Sequence, residues 1–481
     1  MKNILIAIRS IFKKGRHNVM KIVSLGIGLA VGLVLIAKVY FEQSYDDFYP
    51  DRDRVYQVWA KYQQNGGELK DYPQTSGGIA PTMQQQIPEI ETVTRYTSFG
   101  DWTFTMTDTK MKYSGRCIIA DSCFFDILPR PMLIGNAKEV LSTPMYVLIS
   151  SRIAKNIGGD VIGKNFTVDN SPGRTMTIGG VFEEVPENSH SRYDVIVSMA
   201  SAGRFMWEGS PTNMLGNDRY ISYVKLHKGV NPLALEEQVR TFVNSYFPPE
   251  EQQKVGLSID FSFHKLDNLH KELPQVKRMT WILSLLAFAL IFTAVMNYIL
   301  IVISSIVNRS KEVAVHKCYG ASENNIHGMM FGEALVHIVL SLILALLLIL
   351  AFRGTVEELL ATSLDSLLLS NGSLVLLGIC ILVFFVSGFM PGSLYARIPV
   401  ASAFRNYREN KRIWKKALLL VQFVATGFLV TMLVFVARQY TFMVNDRPGY
   451  AYENLAYCGL AGVDSTSRAK ILDEVMRLPG V

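Results

Sequence analysis

Charge is scarce in this sequence: Asp, Glu, Lys and Arg make up 19% of its 481 residues, and only five are cysteine. The cysteines are scattered and show no metal-ligand spacing, so a structural metal site is not expected. No G-x-S-x-G elbow, no H-E-x-x-H pair and no Cys/His cluster is present, and no catalytic residue is assigned. A cleavable signal peptide is also lacking. The first apolar run is too long for an h-region and has no clear small-residue cleavage site, so it is expected to remain as an anchor. Cys117 and Cys123 lie close in sequence, and a disulfide there is chemically allowed, but their spacing leaves a bridge and two separate thiols both open.

What is abundant is apolar. Hydrophobic residues are 49% of the chain, and they cluster in five runs, 19–41, 280–304, 329–352, 372–395 and 417–437, each near the roughly 20 residues that a spanning helix needs. The expected fold class is therefore a membrane protein. It comprises an α-helical transmembrane bundle of five spans, with a large α+β extracytoplasmic domain, residues 42–279, between spans one and two. The net charge of +7 does not indicate nucleic acid, because of where it sits. Arg9, Lys13, Lys14 and Arg16 precede the first run and Lys21 stands at its start, and Arg397, Arg405, Arg408, Lys411, Arg412, Lys415 and Lys416 fill the linker 396–416. By the positive-inside rule these are cytoplasmic anchors, which puts the N-terminus, 305–328 and 396–416 inside and 353–371 outside.

Ile4, Ile8, Ile11 and Phe12 share one helical face, so residues 1–18 read as an amphipathic helix on the inner membrane surface. In the first span, Gly28 and Gly32 form a small-x-x-x-small pair suited to a helix–helix or dimer contact. The segment 42–279 alternates strand-like stretches (54–62, 102–106, 145–149, 174–182, 193–198, 219–227) with helical ones (81–87, 151–157, 232–246), an α+β pattern in one or two lobes. Gly158 to Lys164 has the G-x-x-x-x-G-K spacing of a phosphate loop. Asn165 stands where Ser or Thr would bind magnesium, and a strand-like stretch follows where a helix should start, so we read it as a glycine turn. His190 and Asp194 are read as strand or surface residues.

Three polar residues interrupt the later spans: Asn297 in the second, Glu333 and His337 in the third. Glu333 is expected near the inner interface, paired with His337 or with the second span; a substrate path would need more such groups. Gly388, Pro391 and Gly392 mark a kink or end in the fourth span. Between spans two and three, the stretch 308–326 (NRSKEVAVHKCYGASENNI) reads as a charged helix with an apolar stripe of Val313, Val315 and Cys318. A stop at Gly320 and an N-cap at Ser322 follow. Residues 415–440 and 449–458 resemble 21–40 and 51–59, and MRLPGV at 476–481 resembles QQIPEI at 85–90. The segment 438–481 is accordingly expected to begin a second extracytoplasmic domain, of which this chain holds only the start.

Taken together, these stretches resemble the FtsX/MacB-like permease family of ABC transporters, particularly its duplicated members from Bacteroidetes-type bacteria. Lys311 to Ser322 is similar to the family pattern K-E-[IV]-[GA]-[IV]-R-[KR]-x-x-G-A, and Gly332-Glu333-Ala334-Leu335 to its G-E-[SA]-L. In the outer domain, residues 120–125, 162–164, 180–182 and 186–190 resemble core-domain motifs. His316 stands where the family has Arg, and 390–395 departs from its G-x-x-P-A. The resemblance implies an inner-membrane permease that does no chemistry itself and holds no cofactor. A separate cytoplasmic ABC ATPase, carrying ATP and Mg, would dock at Lys311, Glu312, His316 and Lys317, with Gly320 setting an angle. It also implies a homodimer or pairing with a second permease half, contact with membrane lipid, and export or extraction of a substrate by mechanotransmission. The competing reading is a membrane-anchored sensor with an outer ligand-binding domain.

Overall fold

The computed structural model describes residues 17–168, 173–368, 372–396, 400, 413–445, 455 and 465–479. The amphipathic helix expected at 1–18 lies outside the described residues except for its last two, and the basic linker 396–416 does so over most of its length. The chain forms two compact units: a helical unit, Met1–Gln43 with Pro274–Leu455, and a second unit made of the sheet domain Ser44–Leu273 with Ala456–Val481.

The helical unit comprises α1 (Asn18–Gln43), α2 (Pro274–Ser304), α3 (Ile306–Cys318), α4 (Glu323–Ala351), α5 (Arg353–Leu360), α6 (Leu364–Leu368), α7 (Ser373–Ala396) and α8 (Ile413–Asn445). Five of these (α1, α2, α4, α7 and α8) are long and apolar enough to cross a membrane. Helix is the form such runs must take, because hydrocarbon offers no partner to a backbone N–H or C=O. The helices overrun the apolar stretches: α2 already starts at Pro274, and α8 extends from Ile413 to Asn445. The fourth span passes through Pro391 without ending there. Its Gly388 and Gly392 lie against Phe331 and His327 of α4.

Helix α1 lies between α2 and α4, and its glycines explain how. A Cβ on Gly28 would sit 2.2 Å from Ala294 Cβ, one on Gly32 2.4 Å from Ile291 Cγ1, and one on Gly26 2.9 Å from Leu344 Cδ2. The backbones approach closely because the side chains are missing. Gly28 and Gly32 thus serve a helix–helix contact inside this chain. The core there is Leu25, Leu29, Tyr298, Ile299, Ile303, Ile326, Met330 and Ile338. By contrast α8 buries only Gln422 among its described residues.

The sheet domain is built on one mixed sheet of eleven strands, ordered β11-β1-β10-β3-β4-β9-β6-β8-β5, with β2 on β1 and β7 on β3 and β8. The strands are β1 (Val55–Gln64), β2 (Lys70–Tyr72), β3 (Ile90–Met106), β4 (Lys112–Ala120), β5 (Met132–Ile134), β6 (Tyr146–Ser150), β7 (Asn165–Val168), β8 (Thr175–Phe182), β9 (Val195–Ser198), β10 (Ile221–Leu226) and β11 (Leu257–Lys265). The 17-residue β3 shifts register between Ser98 and Gly100 and runs through both ends of the sheet. One end packs helices Ile79–Gln86 and Glu236–Tyr246 over Val58, Val93 and Val224, and the other encloses Phe104, Val147, Phe166 and Ile178. On the opposite face of the sheet lies an aromatic core of Tyr49, Tyr96, Phe124, Tyr193 and Tyr223. The two lobes are therefore two ends of one sheet. Cys117 and Cys123 are separate thiols, and burial raises the pKa of both, more strongly at Cys117.

The fit of α1 against α2 gives a direct expectation. Gly28→Ala lowers the thermal stability of the detergent-solubilised chain by the equivalent of about 1–3 kcal/mol, and adding Ala294→Gly recovers most of the loss. Unchanged stability in Gly28→Ala contradicts this packing.

Candidate functional site

The charged element between the second and third spans is a helix, a stop and a restart. Helix α3 closes in a Schellman arrangement: Ala321 N–H donates to His316 O at 3.0 Å and Gly320 N–H to Lys317 O at 3.0 Å, with Gly320 at φ +83°. Only a residue without Cβ takes that conformation cheaply. Ser322 then caps α4, its side chain accepting from Asn325 N–H at 3.4 Å. His316 and Lys317 fall in the last turn of α3 and Glu323 in the first turn of α4, the placements that each helix dipole favours.

The apolar face of α3 is not the expected one. Val313 and Ala314 are buried with Ile326 and Met330, as is Ser310, whereas Val315 is 43% exposed and Cys318 is exposed. At 3.6 residues per turn, Val313 and Val315 lie on roughly opposite sides, while 310, 313 and 314 share one. The outward side carries Lys311, Val315 and Tyr319, spaced i, i+4, i+8, with His316 beside them; Tyr319 is 88% exposed. Glu312 and Lys317 are half-buried at the edges of this face. The Arg309 side chain lies outside the described residues. Tyr319 and Val315 were absent from the expected contact set, although the spacing that groups them with Lys311 is visible in the sequence.

A second polar set lies within the helical unit. Glu333 has a partner on the first span: Lys21 Nζ approaches its Oε1 at 3.6 Å, with both side chains buried. Lys21, expected as a cytoplasmic anchor, is fully buried and also donates to Asn18 Oδ1 at 3.2 Å. One turn along α4, His337 Nδ1 is 3.2 Å from Tyr298 OH of α2, and Ser341 Oγ donates to Ile22 O of α1 at 3.1 Å. Asn297 is half-buried, and its neighbour Tyr298 makes the contact to α4. At the other end of α1, Lys38 pairs with Glu42 at 2.7 Å and donates to Thr362 Oγ1 at 2.8 Å. Separating a buried pair such as Lys21–Glu333 costs about 3–5 kcal/mol, because it strands a charge.

In the sheet domain His190 is held by Asp46 and not by Asp194. His190 Nδ1 lies 2.7 Å from Asp46 Oδ2 and its Nε2 meets Tyr223 OH, while Asp194 takes Arg152 Nη2 at 2.6 Å. The phosphate-loop spacing is a turn between helix Ser151–Ile157 and β7. Its Gly163 N–H donates to Ile178 O at 2.9 Å, and Lys164 points to Asp108.

Residues 20–242 match the MacB-like periplasmic core domain, and residues 284–400 match the FtsX-like permease C-terminal domain. Among solved structures, a domain of a permease protein from Porphyromonas gingivalis is 33% identical, covering 45% of this chain and 91% of that one at a TM-score of 0.42. The periplasmic region of MacB from Actinobacillus actinomycetemcomitans is 16% identical, over 43% of this chain and 87% of that one, TM-score 0.28. The extracellular domain of the noncanonic ABC-type transporter YknZ from Gram-positive bacteria is 11% identical, over 43% and 98%, TM-score 0.30. No curated protein matches the chain.

The αL stop between α3 and α4 predicts the effect of filling it. Gly320→Ala costs about 1–2 kcal/mol, so amide hydrogen exchange of a peptide spanning 313–326 speeds up by about tenfold, and Gly320→Asn changes it less. Equal exchange in all three proteins is the contrary result.

Proposed function

This chain belongs to the FtsX/MacB-like family of ABC transporter permeases, and on that premise we propose that it converts the closure of a separate cytoplasmic ATPase into movement of its periplasmic domain. ATP and Mg are held by that partner; the permease chain is non-catalytic. The N-terminus and the α3–Gly320–α4 element are cytoplasmic, and the MacB-like domain works on a substrate in the periplasm or outer leaflet, for export or extraction. Two permease halves, identical or paired with a second type, meet one ATPase dimer, and the remaining span surface faces lipid.

The observation that carries this reading is the build of the docking element. A short helix buries Val313 and Ala314 in the helical core and is locked at its end by the Schellman bonds. It presents Lys311, Val315, His316 and Tyr319 outward. A projecting aromatic on a rigid, half-charged helix suits insertion into a partner's cleft, since aromatic anchors with a charged rim dominate many interfaces. Because α4 starts at Ser322, two residues past the stop, force on α3 enters a spanning helix with no flexible link between. Lys311, Glu312, His316 and Lys317 keep their assignment at or beside the contact, joined by Tyr319 and Val315.

Affinity purification of the chain from its native membrane tests the reading. Recovery of a P-loop ATPase is expected, with capture falling by about tenfold or more in Lys311→Glu with Lys317→Glu, and likewise in Tyr319→Ala, since each 1.4 kcal/mol lost is tenfold. Recovery of a response-type partner without any ATPase supports the sensor instead and overturns the proposal.

A further inference from the structure

Resting on that coupling role, we propose that the buried Lys21–Glu333 pair is the latch that passes the stroke from α4 to α1. Both helices are fixed at meaningful ends. The α4 helix begins at the Ser322 cap directly after the docking element and reaches Glu333 three turns later. The α1 helix begins at Asn18 beside Lys21 and runs to Gln43, where the chain passes into the sheet domain at Ser44.

Apolar contact alone does not hold such a junction. Lipid tails are as apolar as leucine, so two greasy helices slide past each other with little change in environment. On α1 the problem is sharpened at the α4 face by Gly26, which has no side chain to set against Leu344 and resist sliding. An ion pair behaves differently. With Lys21 fully buried and Glu333 nearly so, displacement along the helix axis separates two charges that have no water to turn to. Ser341 Oγ to Ile22 O closes the same junction one turn away from His337, and Tyr298–His337 ties α2 to α4 at the same level. Both chain entries to the sheet domain, α1 and α2, are thereby keyed to α4. The α1 connection is made by charge. Lys21 and Glu333 are positioning residues: they touch neither ATP nor cargo.

The test uses the full chain co-purified with its captured ATPase and reads two quantities, the ATPase retained per permease and the ATP-dependent change in deuterium uptake of sheet-domain peptides. Lys21→Met and Glu333→Gln are expected to retain the ATPase while the ATP-dependent change shrinks by about fivefold or more. Lys21→Arg keeps it, and the exchange Lys21→Glu with Glu333→Lys restores at least about half of it. Single variants that keep the full change overturn the latch, as does a charge exchange no better than the singles, which would assign the loss to packing. Wild-type chain that captures no ATPase overturns the coupling role itself and the latch with it, and the retention measurement separates that failure from the others.

Discussion

Hydrocarbon gives a charge nothing to bind except another protein group, and that constraint sets the arrangement of the helical unit. Lys21 and Glu333 are far apart in sequence yet meet at 3.6 Å, so α1 must lie against α4 in one register. Gly26 toward Leu344 makes that approach possible, while Gly28 and Gly32 bring α1 equally close to α2 at Ala294 and Ile291. Small residues bring the backbones together and the ion pair fixes their offset; either alone leaves the contact loose or strained. Lys38, joined to Glu42 and Thr362, applies the same logic at the far end of α1.

The α3–Gly320–α4 element shows how local chemistry and tertiary packing share a task. Gly320 and Ser322 determine where one helix stops and the next begins, through bonds that involve only neighbouring residues. The orientation of α3 is decided elsewhere, by the burial of Val313 and Ala314 against Ile326 and Met330. The outcome is a rigid elbow with Tyr319 at its corner, continuous with a spanning helix. In the sheet domain, Asp46, fully buried at φ +61°, gathers His190 and Ser189 just after the first span. The stretch 186–190, which resembles a family motif, is in this way tied to the start of its own domain.

Much of this was legible in the sequence, and the parts that were not share a cause. Five spans are readable because each is a long, predominantly apolar run. The stop at Gly320, the cap at Ser322 and strands such as β8 and β9 rest on local pattern, and they emerge close to where that pattern puts them. Lys21 was not legible as an ion-pair partner, since position beside basic neighbours made it look like an anchor. Only the depth it shares with Glu333 on another span could have suggested the pair. His190 reads as a strand or surface residue because the carboxylate that binds it, Asp46, is remote in sequence. Val315 was assigned to the wrong face by counting apolar residues without their angle. Strand β11 alternates Leu257, Ile259, Phe261 and Phe263 with polar residues, a period-2 signal that was present.

The central claim is that the elbow at Tyr319 receives an ATPase. A photo-crosslinking amino acid placed at Tyr319 in cells tests it most directly, with Trp281, an exposed residue of α2, as the control position. The account predicts an adduct between this chain and a P-loop ATPase at Tyr319 and none at Trp281. An adduct at Tyr319 only with lipid, or only with a protein lacking a nucleotide site, contradicts it.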